Sequence, residues 1–233
     1  AIPTEETEAA AWAVPASAFS SLIPLVVADD SSELAAYRAP LIEGIVVSAG
    51  GVGDSLGKAA GGVLVAALKN RNEKEKEDVT HGGAAALQRV VADELVRLLG
   101  RRAGVDRVTV PLLRVLDLLF SSGAMAAVAP SYPAPPVGDF ASRLADGLRA
   151  ELKGSRDVAK LCLGVQALSH LASLGPPAHL GGQCSKSESG TSGAESARVS
   201  ATQGVLALMV NRYPRVRRVA AEQLYVTLLG MSD

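Results

Sequence analysis

The 233-residue chain has little of several things that usually announce a function. Cysteine occurs twice, at Cys162 and Cys184, in no Cys-x-x-Cys or metal spacing. That argues against a disulfide framework and a zinc site and fits a reducing cytosol. Aromatics make up 3% of residues, too few for an aromatic-rich β-sandwich. Neither sign of charge dominates: 23 Lys and Arg against 24 Asp and Glu leave a formal net charge of −1. No global field therefore steers the chain to nucleic acid or to an anionic membrane. No apolar run reaches the roughly 20 residues of a membrane span. The longest candidate, Leu41 to Val52, is broken by Glu43, Gly44, Gly50 and Gly51. Residues 1–8 carry acids where a secretory leader has a basic start, and no initiator Met precedes them, so a fragment or mid-gene product is expected.

What is present is aliphatic. Hydrophobic residues are 48% of the chain, supplied by Ala, Leu and Val, a mixture that favours helices packed through small and branched side chains. Strand-type alternation is absent, so the class is all-α.

Three stretches interrupt the helical pattern. The first, about 70–83, is a mixed-charge run through Arg71, Glu73, Lys74, Glu75, Lys76, Glu77 and Asp78, read as a solvated loop or exposed helix end. The second, 130–138, holds four prolines, which cannot continue a helix and make a rigid connector. The third, 181–197, is a Ser/Gly-rich tract whose composition cannot offset its own ordering entropy, so disorder is expected there. Residues 1–33 read as a partly helical flank and 34–229 as one helical domain with these three insertions.

Between the interruptions the periodicity is helical. In 155–174, Val158, Leu161, Cys162, Val165, Leu168 and Leu171 recur at threes and fours on one face, with Ser155 as the expected N-cap and Asp157 in the first turn. Thr109 is the expected cap of a buried helix with Pro111 in its first turn and Leu112, Leu113, Leu116, Leu119 and Phe120 along its stripe. A further helix is predicted from Pro214 to Leu229, with Val216, Val219, Ala220, Leu224 and Leu228 inward and Arg215, Arg218 and Glu222 outward. Segments 32–49, 55–69 and 84–99 are helix-like as well. Val158 and Val216 open similar helices 58 positions apart. Setting aside the 17-residue tract leaves 41, inside the roughly 40–47 period of HEAT units. HEAT- or armadillo-like repeats stacked as an α-solenoid are the preferred architecture.

Catalytic motifs are present only in pieces. Gly53-Asp54-Ser55-Leu56 has the form of a GDSL esterase signature, with Asp78 and His81 in Asp-x-x-His order. Such a serine follows a parallel strand and needs a base and an oxyanion donor. Here the Asp and His stand across a charged run, and no Gly-x-Asn supplies the donor, so an esterase using Ser55 is the remote alternative. Gly57-Lys58 lacks the first glycine and the hydroxyl of a phosphate loop, with Val52 and Ala59 in those places. His81, His170 and His179 are not grouped with other ligands. Cys162 reads as a buried, inert thiol and Cys184 as an exposed one without an activating partner. The chain is therefore expected to be no enzyme and to need no cofactor.

Arg212, Arg215, Arg217 and Arg218 form the densest basic cluster. Arg forks suit bidentate contact with carboxylates, which makes Arg215, Arg217 and Arg218, with Glu222, the candidate partner-binding residues. The competing reading is that these arginines pair with a neighbouring repeat.

Three ordered blocks carry a family resemblance. They are Tyr37-Arg38-Ala39-Pro40 with Gly44 and Ser48-Ala49-Gly50-Gly51; Arg107-Val108-Thr109-Val110-Pro111-Leu112-Leu113 with Leu116-Asp117; and Tyr213-Pro214-Arg215-Val216-Arg217 with Ala221-Glu222-Gln223-Leu224-Tyr225 and Leu228-Leu229. Together, over about 34–229, they resemble the C-terminal region of the tubulin-folding cofactor D family. The resemblance implies a HEAT-like fold and a post-chaperonin role: binding β-tubulin, working with cofactors C and E and an Arf-like small GTPase, and joining or dissociating the α/β-tubulin heterodimer. It also implies GTPase-activating action only within the cofactor assembly, and a cytoplasmic place at the microtubule cytoskeleton. The rival is a generic HEAT-repeat scaffold or adaptor with another partner.

Overall fold

A computed structural model describes residues 5–26, 33–51, 53–74, 84–126, 138–174 and 193–230. All regular structure among them is α-helical, and the chain divides into two compact units, 1–128 and 129–233. The all-α, stacked-helix class read from the sequence is the one found.

The first unit holds α1 (Glu5–Val26), α2 (Ala35–Ala49), α3 (Asp54–Lys74), α4 (Ala84–Arg101) and α5 (Asp106–Ser121). The flank read as partly helical contains one 22-residue helix that accommodates Pro15 and Pro24. α1 packs on α2 and α3, and α2 is covered in turn by α5 and α4. The core is almost wholly aliphatic: Val46, Leu68, Leu95, Leu112, Leu113, Leu116 and Leu119 have at most traces of exposure. Each fully buried Leu contributes about 1.5–3 kcal/mol relative to an exposed one.

Polar ties fix the order of these helices. Gln88 Nε2 donates to the Leu68 carbonyl at 3.0 Å, joining α4 to α3, and Arg102 Nη2 meets Glu43 Oε1 at 2.9 Å, joining the end of α4 to α2. The α5 stripe of Leu112, Leu113, Leu116 and Leu119 is buried as expected. Its start is not where it was expected. α5 begins at Asp106, with Val105 at the N-cap, so Thr109 lies inside the helix and Pro111 is its sixth residue. Asp106 suits the positive end of the helix, and that favours the earlier start. Thr109 instead is buried, and its Oγ1 has no hydrogen-bond partner.

The second unit holds α6 (Gly138–Leu152), α7 (Val158–Ala172), α8 (Gly193–Met209) and α9 (Pro214–Leu229). α6 packs on α8 and α7 on α9, with α7 also against α8, so the pair α6–α7 and the pair α8–α9 stack in the manner of helical repeats. The chain turns between α6 and α7 at Gly154, whose φ of 76° suits a residue without Cβ, and the Ser155 N–H bonds back to Leu152 O at 3.2 Å. α7 is capped by Asp157 rather than Ser155: Asp157 Oδ1 accepts from the N–H groups of Ala159 and Lys160, at 2.8 and 3.2 Å. A carboxylate two residues closer to the helix outcompetes the hydroxyl, because it meets both the free N–H groups and the dipole. Ser155 Oγ serves the turn instead, accepting from Asp157 N at 3.3 Å.

α9 has the bounds read from the sequence, with Pro214 at its first position. Leu228 does not face inward as expected; it is 53% exposed. The charged run near 70–83 is helical as far as Lys74, and its remainder lies outside the described residues. Most of 130–138 and 181–192 also lies outside them, while 193–197 belong to α8, where Ala197 is buried.

Candidate functional site

A hollow in the first unit, lined by side chains such as Ile23, Val26, Ile42, Leu64, Leu87 and Leu95, has a volume of about 10 Å³ and only apolar walls. That is room for one water at most, and no polar group there would hold it. Among the described residues no group of three His, Cys, Asp or Glu side chains could hold a metal ion, and no helix is long and apolar enough to cross a membrane.

The catalytic fragments stay apart from any strand. Ser55 is exposed in the first turn of α3, which follows a glycine-rich turn from helix α2. The strand-to-helix setting of an esterase serine is therefore replaced by a helix-to-helix one. Asp78 and His81 lie outside the described residues, as do His179 and Cys184. His170 is in the last turn of α7, half-buried. Cys162 is half-buried on α7, and burial pushes its thiol above the ordinary range; the Arg215 charge pulls in the opposite direction and Asp157 adds to the rise.

The two family-like blocks of the first unit meet. The backbone at Gly50 stands so close to Pro111 that a Cβ there would lie 2.1 Å from the Pro111 carbonyl oxygen. Arg114 Nη1, one turn further along α5, donates to the Gly50 carbonyl at 2.9 Å. Glycine and proline at these places thus serve the crossing of α2 and α5. Gly44, by contrast, faces open space and Tyr37 is 60% exposed, so neither is explained by packing within the chain.

The four residues singled out for partner contact are all exposed on α9. Arg218 Nε donates to Glu222 Oε1 at 2.7 Å, one helical turn away, and that bond raises the guanidinium above its ordinary value. Arg217 Nη1 donates to the carbonyls of Asn211 and Arg212, at 2.9 and 3.2 Å, so it holds the α8–α9 turn. Arg212 lies 4.6 Å over the ring centroid of its neighbour Tyr213. Arg215 is exposed near Cys162. The first turn of α9 contains no acid, so Arg215 and Arg217 sit near the positive end of the helix dipole, where a cation is disfavoured.

The sequence gives no sign of a second long-range charged pair besides Arg102 and Glu43, and this one is buried. Lys160 of α7 and Glu151 of α6 form an ion pair at 2.5 Å with both side chains 4% exposed. Their positions on opposite sides of a turn give no helical i,i+4 signal.

The described residues define an all-α protein of stacked helices that carries charged clusters on its surface. The comparison with family models makes the assignment: residues 1–160 match the family described as tubulin folding cofactor D C terminal, and the chain belongs to it. The match takes in the flank 1–33, which the sequence resemblance left out, and ends at Lys160, short of the third block at 213–229. At family level this gives a role in tubulin folding and tubulin-related partners. Searches of curated proteins and of solved structures returned no match.

Proposed function

We propose that this chain is a β-tubulin-handling segment of a cofactor D-type chaperone, acting by binding and without chemistry of its own. Its work is post-chaperonin folding of tubulin and the assembly or disassembly of the α/β heterodimer. Cofactors C and E and an Arf-like small GTPase are its companions, and GTPase activation arises only in the whole assembly. The cytoplasm, at the microtubule cytoskeleton, is its place of action.

The observation that carries this reading is family membership over residues 1–160. Two features support it. Stacked helix pairs offer long surfaces that hold a folded partner by many modest contacts. The arginines at the start of α9 stand where they disfavour the helix, which suits a role toward an acidic partner surface.

The test is capture of purified isolated β-tubulin and of the intact αβ heterodimer by the immobilised chain. Selective retention of β-tubulin is expected. A folded chain that retains neither would transfer the account to a helical scaffold with another partner, and hydrolysis of short esters with acylation of Ser55 would replace binding by catalysis.

A further inference from the structure

The two inter-helix turns of the second unit open on the same end. Contacts ascend together along α6 and α8: Ser200 Oγ donates to Asp146 Oδ1 at 2.6 Å, and further on a Cβ at Gly204 would lie 3.0 Å from Arg149 Cγ. α6 and α8 therefore run in one direction, and α7 and α9 return in the other. The starts of α7 and α9 are neighbours as well, since the Cys162 thiol feels both Asp157 and Arg215. The α6–α7 turn, 153–157, and the α8–α9 turn, 210–213, thus lie side by side.

Charge of one sign gathers there. Lys153 and Arg156 are exposed on the first turn, and Arg212, Arg215, Arg217 and Arg218 on or just after the second. The acid among them is Asp157, whose carboxylate is already taken by the N–H groups of α7. Arg217 is committed to the Asn211 and Arg212 carbonyls, and Arg218 to Glu222. Among the described residues Lys153, Arg156 and Arg215 have no ion-pair partner. Arg212 lies over the Tyr213 ring and donates to its hydroxyl, which orients the guanidinium and leaves its charge unneutralised. Like charges held together without a counter-charge repel one another, and an anionic partner relieves that repulsion.

We infer that this pair of turns binds an extended, carboxylate-rich peptide segment that crosses from Lys153 and Arg156 to Arg212 and Arg215. The inference rests on the partner-binding role proposed for α9; it gives that role a ligand class and adds the α6–α7 turn to it. Neighbouring helices pack about 8–10 Å apart and an extended chain advances about 3.3 Å per residue, so about three residues carry it from one turn to the other. Alternate side chains of such a chain face the same way, which brings the carboxylates of one segment onto both turns. Arg forks then take them through paired hydrogen bonds. A nucleic acid fits less well. The aromatic ring at this edge, Tyr213, is half-buried and covered by Arg212, which leaves no platform for a base, and a chain with a net charge of −1 exerts no long-range pull on a polyanion.

The test uses the whole chain and a short fluorescein-labelled peptide of alternating Glu and Gly, read by anisotropy at low salt, beside the same peptide with Gln for Glu and a single-stranded oligonucleotide of equal charge. The Glu peptide is expected to bind and the Gln peptide not. Lys153→Gln with Arg156→Gln should weaken binding by about fivefold or more, as should Arg215→Gln, while Lys58→Gln with Lys69→Gln, exposed on α3, should change it by less than about twofold. Circular dichroism checks that each variant is folded. Equal effects of the turn pair and the α3 pair, equal binding of the Gln peptide, no binding of the Glu peptide, or tighter binding of the oligonucleotide overturns the inference. Capture of β-tubulin by the same proteins separates the two readings. Retention of β-tubulin without peptide binding removes the peptide site and leaves the function, and peptide binding without retention of β-tubulin keeps the site and removes the function.

Discussion

Gly50 and Pro111 lie in backbone contact, and the Arg114 guanidinium closes the crossing by donating to the Gly50 carbonyl. The relationship explains both residue types. Any side chain at position 50 would force α5 from α2, and Pro111 leaves Arg107 O without the intrahelical N–H it would otherwise receive, a cost the crossing must offset. Gly50→Ala is expected to lower stability by about 1–3 kcal/mol, as overpacking of a close contact does. Gly62→Ala, on an exposed part of α3 with open space around a Cβ, is expected to raise it by about 0.5–1 kcal/mol. Urea unfolding of the two variants beside the parent checks both signs.

Thr109 contributes a second, opposite case. Its hydroxyl is buried and unpartnered in the first unit. Thr109→Val keeps the shape and removes the stranded group, so a gain of about 1 kcal/mol in unfolding free energy is expected. A loss of stability on the same measurement would mean that the hydroxyl has a use in the fold.

The Lys160–Glu151 pair makes the second unit sensitive to single changes. Lys160→Met leaves a buried carboxylate and is expected to cost about 3–5 kcal/mol, while Lys160→Met with Glu151→Leu should recover most of that. A double-mutant cycle in urea, read by the helical signal, gives the coupling directly.

The Cys162 thiol on α7 feels the charge of Arg215 on α9. Its pKa is raised chiefly by burial, so in a Cys184→Ser background its alkylation rate should climb with pH only beyond the ordinary thiol range. Arg215 lowers that value, so Arg215→Glu should slow alkylation further at every pH below the plateau. Rates of iodoacetamide labelling against pH provide the check, and an unchanged profile would place Arg215 away from Cys162.

Much of the fold was legible because its signals are local. Pro214 at a helix start and the spacing of Val216, Val219 and Ala220 placed α9 at its true bounds. The leucine stripe of α5 was equally plain, but its start was not: Thr109 and Pro111 imitate a cap and first turn, and the tertiary contact at Gly50 that explains Pro111 lies far away in sequence. Ser155 was mistaken for a cap because Asp157, two positions on, also suits the first turn. Periodicity assigned Leu228 to the inner face, because a repeat that carries apolar residues on two faces has no single stripe. The candidate arginines were legible as a cluster, and their division of labour was not: the Arg217 bonds to the Asn211 and Arg212 carbonyls depend on how the turn folds.

The central claim is that the chain binds β-tubulin, with the arginine-rich start of α9 in the contact. The most direct measurement is the affinity of the chain for isolated β-tubulin at two salt concentrations, compared with Arg215→Glu/Arg218→Glu and with the triple variant that adds Arg217→Glu, each checked by circular dichroism. The account expects the parent to bind, the folded double variant to lose at least about tenfold in affinity, and the loss to shrink as salt rises. Full affinity in the folded variants would remove α9 from the contact, and no binding by the folded parent would contradict the claim itself.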